Sequence, residues 1–200
     1  MRILVQVFSF LIFLSFATNV HAQEHVSLLK KSVPEWNKWR KQNPGIIPNF
    51  RGVDLIKANL QGANLREAQL QEANLIDANL QDAYLQDAYL GRAKLERVNL
   101  RFANLRRAVL PDTNLRGAYL GGVKLERAYL RLTNLQDAIL VDANLQGANL
   151  RGVKNLTCEQ INSLRSLDKR TKFPDYIMVK ITGKNKWTCK EIKMKNDKQE

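Results

Sequence analysis

The sequence predicts an all-β solenoid of square cross-section with a short helical cap at each end. Two observations predict this fold: a leucine recurs at every fifth position through half of the chain, and a small or β-branched residue stands two positions before each one. A five-residue period fits neither the helical period of 3.6 residues nor the strand period of 2. If every leucine points inward, the backbone must turn by about 90° every five residues and close a coil after roughly twenty.

The leucines form one uninterrupted ladder. Its members are Leu55, Leu60, Leu65, Leu70, Leu75, Leu80, Leu85, Leu90, Leu95, Leu100, Leu105, Leu110, Leu115, Leu120, Leu125, Leu130, Leu135, Leu140, Leu145 and Leu150. Fifteen of the twenty small positions hold Ala, three hold Val and two hold Thr, because only a small side chain fits beside the axis. Residues 53–152 therefore predict five coils, which make a rod about 24 Å long at a strand spacing of about 4.8 Å.

The repeated unit is Ala-Asn-Leu followed by two variable residues, as at 58–62 and 73–77. This unit resembles the arrays of the pentapeptide-repeat family. The resemblance implies a right-handed quadrilateral β-helix of about five coils. The resemblance also suggests one function, because some members that confer fluoroquinolone resistance imitate DNA and bind DNA gyrase. That mimicry requires an acidic surface along the rod and a location in the cytosol.

Charged residues twenty positions apart test the length of the coil, because they would be neighbours on successive coils. Three such pairs carry like charges: Glu67/Asp87, Arg107/Arg127 and Arg131/Arg151. Seven are opposite: Lys57/Asp77, Asp77/Arg97, Glu72/Arg92, Arg92/Asp112, Asp87/Arg107, Glu96/Arg116 and Arg106/Glu126. The excess of opposite pairs supports a coil of twenty residues.

Residues 1–22 predict a secretory signal peptide. An apolar run at 3–17 is followed by small residues at Val20 and Ala22, which suits cleavage before Gln23. The run is shorter than the roughly 20 apolar residues that a membrane-spanning helix needs. We therefore expect a periplasmic, lumenal or secreted protein, with an uncleaved membrane anchor as the alternative.

The segments on either side of the array predict caps for the open ends of the solenoid. In the amino-terminal cap, residues 23–52, a short helix over 34–40 places Trp36 and Trp39 on one face. This pair is expected to cover Phe50 and Leu55, and an aromatic platform for a ligand is the alternative.

The carboxy-terminal cap and basic tail occupy residues 153–200. Thr157 and Gln160 have the spacing of a capping box, which predicts a helix through Leu167. Residues 176–189 then read as strand, turn and strand. Cys158 and Cys189 both lie in this cap, and in an exported chain they predict a disulfide. Two free thiols in a cytosolic protein are the alternative.

No motif for catalysis, a metal or a cofactor is present. Cleavage of the signal peptide would leave a single histidine, and the carboxylates at Asp77, Asp82 and Asp87 fall on three different faces of the coil. Calcium needs six to eight oxygens in one place, which scattered acids do not provide. We therefore predict a protein that is not an enzyme and has no cofactor.

Two outward surfaces are candidates for binding. Residues 91–110 carry six basic residues against one acid and form a basic belt. The candidate basic contacts are Arg101, Arg106, Arg107, Lys124 and Arg127, read either as a site for a polyanion or as a solvated face. The candidate apolar contacts are Tyr89, Val109, Tyr129 and Leu132, with Phe102, Tyr119, Ile139 and Val141 on the opposite side.

The favoured function is a non-enzymatic, exported rod that binds another protein or acts as a scaffold in the cell envelope. Residues 53–152 hold thirteen basic residues against eleven acidic ones, so this rod is not the acidic mimic of DNA that gyrase binding would require. The belt has one aromatic residue, Phe102, and so lacks a series of aromatic residues for stacking on bases, which makes a nucleic-acid partner unexpected. Polyanion binding through the belt stays as an alternative, and membrane contact is expected only through an uncleaved signal segment.

Overall fold

The computed structural model describes residues 23–183 and 185–192. The predicted signal segment, residues 1–22, lies outside the described residues. The centre of the chain is a β-solenoid in which parallel bridges join residues twenty positions apart, beginning with Asn49 and Gln69 and continuing to Asn134 and Lys154. The predicted quadrilateral coil of twenty residues is confirmed.

Each corner of the coil is a β-turn that starts at a ladder leucine. The amide of Ala58 donates to the carbonyl of Leu55 at 3.1 Å, and the same bond recurs along the array. The third residue of the turn has a positive φ, 55° at Lys57 and 66° at Gly62, which is the geometry of a type II turn. Five residues thus make one side and one corner, and the two variable residues of each unit lie outside.

The ladder fills the interior. All twenty leucines are buried, with none more than 2% exposed. Thr113 and Thr133 occupy two of the small positions, and their buried hydroxyls donate to the carbonyls of Leu90 at 3.0 Å and Leu110 at 2.7 Å. These hydroxyls are therefore satisfied inside the coil, which is what a buried polar group requires.

The amino-terminal cap is helical in α1, residues 23–31, and again in α2, Val33–Gln42. Ser32 caps α2 by accepting from the amide of Glu35. The helix is one residue longer at its start and two at its end than the sequence predicts. Trp36 is fully buried with its ring 5.4 Å from that of Phe50, as expected of a cover over the axis.

The first coil of the solenoid has no preceding coil to pair with, and side chains of α2 make hydrogen bonds to its backbone instead. Trp36 Nε1 donates to the carbonyl of Asn64 at 2.9 Å. Asn37 accepts from the amide of Asn64 at 2.8 Å and donates to the carbonyl of Gly62 at 2.9 Å. Arg40 donates to the carbonyl of Arg66 at 3.2 Å. The exposed edge of the first coil is thereby hydrogen-bonded and closed to strand addition.

The carboxy-terminal cap begins with helix α3, Cys158–Asn162, with the predicted capping box at Thr157. It ends five residues before Leu167, because the chain then returns to the solenoid: Ser166 bridges to Asn144 and Lys172 bridges to Asn149. Strands β1, Ile177–Gly183, and β2, Lys186–Glu191, follow as an antiparallel hairpin.

A disulfide joins Cys158 at the start of α3 to Cys189 in β2. The predicted bridge is therefore present. It fastens the hairpin to α3, and the Trp187 indole adds a hydrogen bond to the carbonyl of Ile161 at 3.3 Å.

Candidate functional site

The candidate sites among the described residues are surfaces for binding. Within 23–183 and 185–192, no three His, Cys, Asp or Glu side chains come together as a metal site would require. In the same residues, no helix has both the length and the apolar character to cross a bilayer. The outward faces of the rod therefore remain as the candidates.

The basic belt is largely paired with carboxylates of neighbouring coils. Arg107 donates two hydrogen bonds to Asp87, of 2.7 and 2.6 Å. These bonds hold the pKa of Asp87 below its usual range. Arg106 donates to Glu126 at 2.6 Å. Exposed pairs of this kind each contribute under about 1 kcal/mol, but they occupy the guanidinium groups that a polyanion would need.

Two further arginines of the belt form ion pairs that the sequence predicts. Arg97 binds Asp77 at 2.7 Å, and Arg92 binds Glu72 at 2.5 Å. In all, four of the seven opposite pairs expected from the coil length form ion pairs. The belt therefore has far less uncompensated charge than the sequence count indicates.

The other candidate basic contacts are distributed over different parts of the surface. Arg101 lies over the ring of Tyr119, 5.0 Å from its centroid, on the side opposite Tyr89. Lys124 lies on a flat face, bridged to Asn104 and Asn144. Arg127 lies at the next corner, and Arg101 is thus separated from it by a whole face.

The first apolar column forms as predicted. Tyr89 bridges to Val109, and Val109 bridges to Tyr129, so the three side chains stack on one face of three successive coils. Tyr89 is 47% exposed, whereas Val109 and Tyr129 are half-buried by their neighbours. Leu132 lies at the adjacent corner and rests on Gly152 of the next coil.

A second apolar surface is more exposed than the first. Phe102, Tyr119, Ile139 and Val141 surround the corner at 121–122, and each is between 39% and 58% exposed. The corner itself is Gly-Gly, and the ring of Phe102 packs over Gly122. We call these residues the glycine-corner patch. The repeat spacing predicts that the four side chains lie together, whereas the glycine pair was not predicted; its signal is two consecutive glycines, Gly121 and Gly122, at variable positions.

An open cleft of about 550 Å³ lies between α2 and the rod. Its lining includes Arg40, Lys41, Arg66, Glu67 and Tyr84. The Arg40 guanidinium is already engaged by backbone carbonyls, and desolvation lowers its pKa. This cleft could not be predicted from the sequence, because it arises from the packing of the cap against the first coils.

Comparison with known proteins places the chain in a family. The profile described as Pentapeptide repeats matches in eight copies at 49–87, 73–112, 83–122 and 113–152. These matches together cover residues 49–152, just over half of the chain. No curated protein matches the sequence significantly.

Several solved structures resemble the fold. QnrB1, a plasmid-mediated fluoroquinolone resistance protein, is 19% identical with a TM-score of 0.49, over 64% of this chain and 71% of that one. Rfr23 from the cyanobacterium Cyanothece 51142 is 24% identical with a TM-score of 0.39, over 68% and 97%. A pentapeptide repeat protein from the Arabidopsis thaliana thylakoid lumen is 22% identical with a TM-score of 0.28, over 63% and 66%. The unbroken leucine ladder, the twenty-residue coil and the repeat profile agree: this chain belongs to the pentapeptide-repeat family and folds as its right-handed quadrilateral β-helix.

Proposed function

We propose that this chain is an exported, non-catalytic rod that binds another protein through the glycine-corner patch. The observation that carries the proposal is the contiguous exposure of Phe102, Tyr119, Ile139 and Val141 around the glycine corner. Large apolar side chains scattered singly on a surface are ordinary, but a contiguous group of them is typical of an interface.

The geometry of the patch suits a protein partner. Tyr119 and Ile139 are bridged neighbours on a flat face, so their side chains are held by the sheet and lose little freedom on binding. Phe102 lies over Gly122 at the corner and keeps 58% of its surface exposed. Aromatic residues such as Phe and Tyr are enriched in protein interfaces.

Export is supported by the carboxy-terminal cap. The cap holds Cys158 and Cys189 in a disulfide, which persists in oxidising compartments and is rare in the cytosol. The apolar segment at 3–17 adds the sequence pattern of a secretory signal.

Site-specific photo-crosslinking in the native cell tests both parts. A photoreactive amino acid is placed at Ile139, and the matched control is placed at Asn59, which lies four coils away in the same column. We expect one discrete crosslinked protein from Ile139 outside the cytosol, none from Asn59, and loss of the product when Val141→Arg is added. Equal products from both positions would overturn binding by the patch. Cytosolic fractionation with gyrase among the products would instead support the alternative of a gyrase-binding protein.

A further inference from the structure

The carboxy-terminal hairpin has one outward face without a partner. Side chains on β1 and β2 alternate, so every second residue points away from the rod. The outward residues, which we call the hairpin basic face, are Met178, Lys180, Thr182, Lys186, Thr188 and Lys190. All six are exposed, and none is acidic.

The register of the hairpin gathers the lysines on one surface. Met178 faces Lys190 and Lys180 faces Thr188 across the pair, and facing residues of antiparallel strands project to the same side. The three ammonium groups therefore share a single face that spans both strands.

The opposite side of the hairpin is fixed to the protein. Ile177 is buried, and Val179, Ile181 and Trp187 are packed against the core. The disulfide through Cys189 adds a covalent tie to α3. The hairpin basic face is thus held in a fixed position on the protein.

The charge of this face is uncompensated, in contrast to the charge of the belt. In the part of the chain that the structure describes, no carboxylate lies within ion-pair distance of Lys180, Lys186 or Lys190. Four of the five belt arginines, Arg92, Arg97, Arg106 and Arg107, instead hold carboxylates of adjacent coils. The hairpin basic face therefore offers a partner cationic groups that those paired arginines do not.

Apolar side chains lie at the edge of the lysines. Met178 is 57% exposed, and Ile192, diagonal to it across the strands, is 39% exposed. Lysines that attract anionic head groups, next to apolar groups that enter the boundary between head groups and acyl chains, are the combination found on proteins that lie on a membrane surface. A nucleic acid would be expected to use aromatic residues for stacking, and this face has none.

We propose that the hairpin basic face docks on an anionic lipid bilayer and anchors the rod by its carboxy-terminal end. This contact is separate from the protein interface at the glycine-corner patch and does not depend on it. It differs from the expectation from sequence that membrane contact occurs only through the signal segment.

Vesicle co-sedimentation of the oxidised chain without the predicted signal segment tests the proposal, with phosphatidylcholine vesicles made with or without phosphatidylglycerol. The variant K180Q/K186Q/K190Q is compared with K94Q/K124Q/K154Q, which removes three exposed lysines from the faces of the rod and gives the same net charge. We expect binding only to the anionic vesicles, and a loss on the order of 100-fold in partitioning for the hairpin variant alone. Equal losses for the two variants would overturn the proposal, because net charge would then explain the binding. Thermal melts confirm that both variants fold.

The exposed methionine separates a bilayer from a soluble polyanion. Met178→Ala is expected to weaken vesicle binding roughly tenfold, because it removes apolar groups that would enter the bilayer. The same substitution is expected to leave binding to dextran sulfate unchanged. The control Ile56→Ala removes a similarly exposed apolar residue at the other end of the rod and is expected to change neither. Unchanged vesicle binding by Met178→Ala, or binding to dextran sulfate without binding to vesicles, would contradict a membrane contact.

Discussion

The ring of Phe102 lies directly over Gly122 of the next coil, so that a β-carbon added at Gly122 would be 2.6 Å from Cδ1 and 2.7 Å from Cε1 of the ring. Gly122 also has a φ of 64°, which disfavours any side chain. We expect Gly122→Ala to lower the free energy of unfolding by about 2 kcal/mol, part from backbone strain and part from displacement of the ring. Denaturant unfolding measures the change.

Gly62→Ala is the matched control for that substitution. Its φ is 66°, but an added β-carbon would meet nothing within 4 Å, so only the strain of about 1 kcal/mol is expected. In a Phe102→Ala background, Gly122→Ala should cost no more than Gly62→Ala. A cost at Gly122 that is independent of Phe102 would show that the two residues are not coupled.

The indole of Trp36 is expected to stabilise the amino-terminal cap through its hydrogen bond as well as its packing. Trp36→Phe keeps an aromatic ring but leaves the carbonyl of Asn64 without its buried donor, at a cost of about 1–2 kcal/mol. The control is Trp39→Phe, since Trp39 is partly buried and stacks on Trp36 at a centroid distance of 5.2 Å. Equal losses in thermal unfolding would assign the effect of Trp36 to packing alone.

Reduction of the disulfide should loosen the carboxy-terminal cap and leave the central coils intact. The bridge joins residues 31 positions apart, and closure of a loop of that length stabilises a fold by about 3–4 kcal/mol. We expect faster hydrogen exchange in β1 and β2 after reduction, and the same pattern in Cys158→Ser/Cys189→Ser. Faster exchange at the ladder leucines as well would mean that the cap and the rod unfold as one unit.

The ion pair between Arg107 and Asp87 predicts a measurable acid titration. Hydrogen bonds from Arg107 hold the pKa of Asp87 below its value in the unfolded chain. The pair therefore contributes its stability above the unfolded pKa of about 3.9, and loses it as the pH falls through the lower folded pKa.

In carboxyl-carbon NMR titrations, Arg107→Gln should move the midpoint of Asp87 upward, towards its ordinary value. The effect on global stability should stay small, because Arg107 is exposed to solvent and Asp87 is only half-buried. The same midpoint in both proteins would mean that the guanidinium is not what stabilises this carboxylate.

Periodic features of this protein could be predicted from its sequence because each one depends on spacing alone. The position of Leu100 in the array determines that it is buried, and the distance of twenty residues from Asp87 to Arg107 places them side by side. The pairing of Cys158 with Cys189 was predictable for a different reason, since the chain has two cysteines and both lie in one cap.

Contacts between segments that do not repeat could not be predicted in the same way. No period relates Arg40 to the carbonyl of Arg66, or Ser166 to Asn144, because these contacts depend on how each cap folds against an end of the rod. The pairing of belt arginines with carboxylates could be predicted only in part, because a count of charges does not show which charged groups are in contact. The hairpin basic face needed the register of β1 and β2 before its lysines could be assigned to one side.

The twenty-residue coil also determines which deletions keep the side chains of this rod on their original faces. A deletion of twenty residues within the array leaves every later side chain on its original face, because one whole coil is removed and its neighbours join by the same contacts. A deletion of five residues moves every later side chain to the next face. After such a deletion between Val109 and Tyr129, Tyr129 would no longer continue the column of Tyr89 and Val109, although the remaining leucines would still be buried. Stability and surface pattern are thus separable, and a change of one repeat unit rearranges the binding faces while preserving the core.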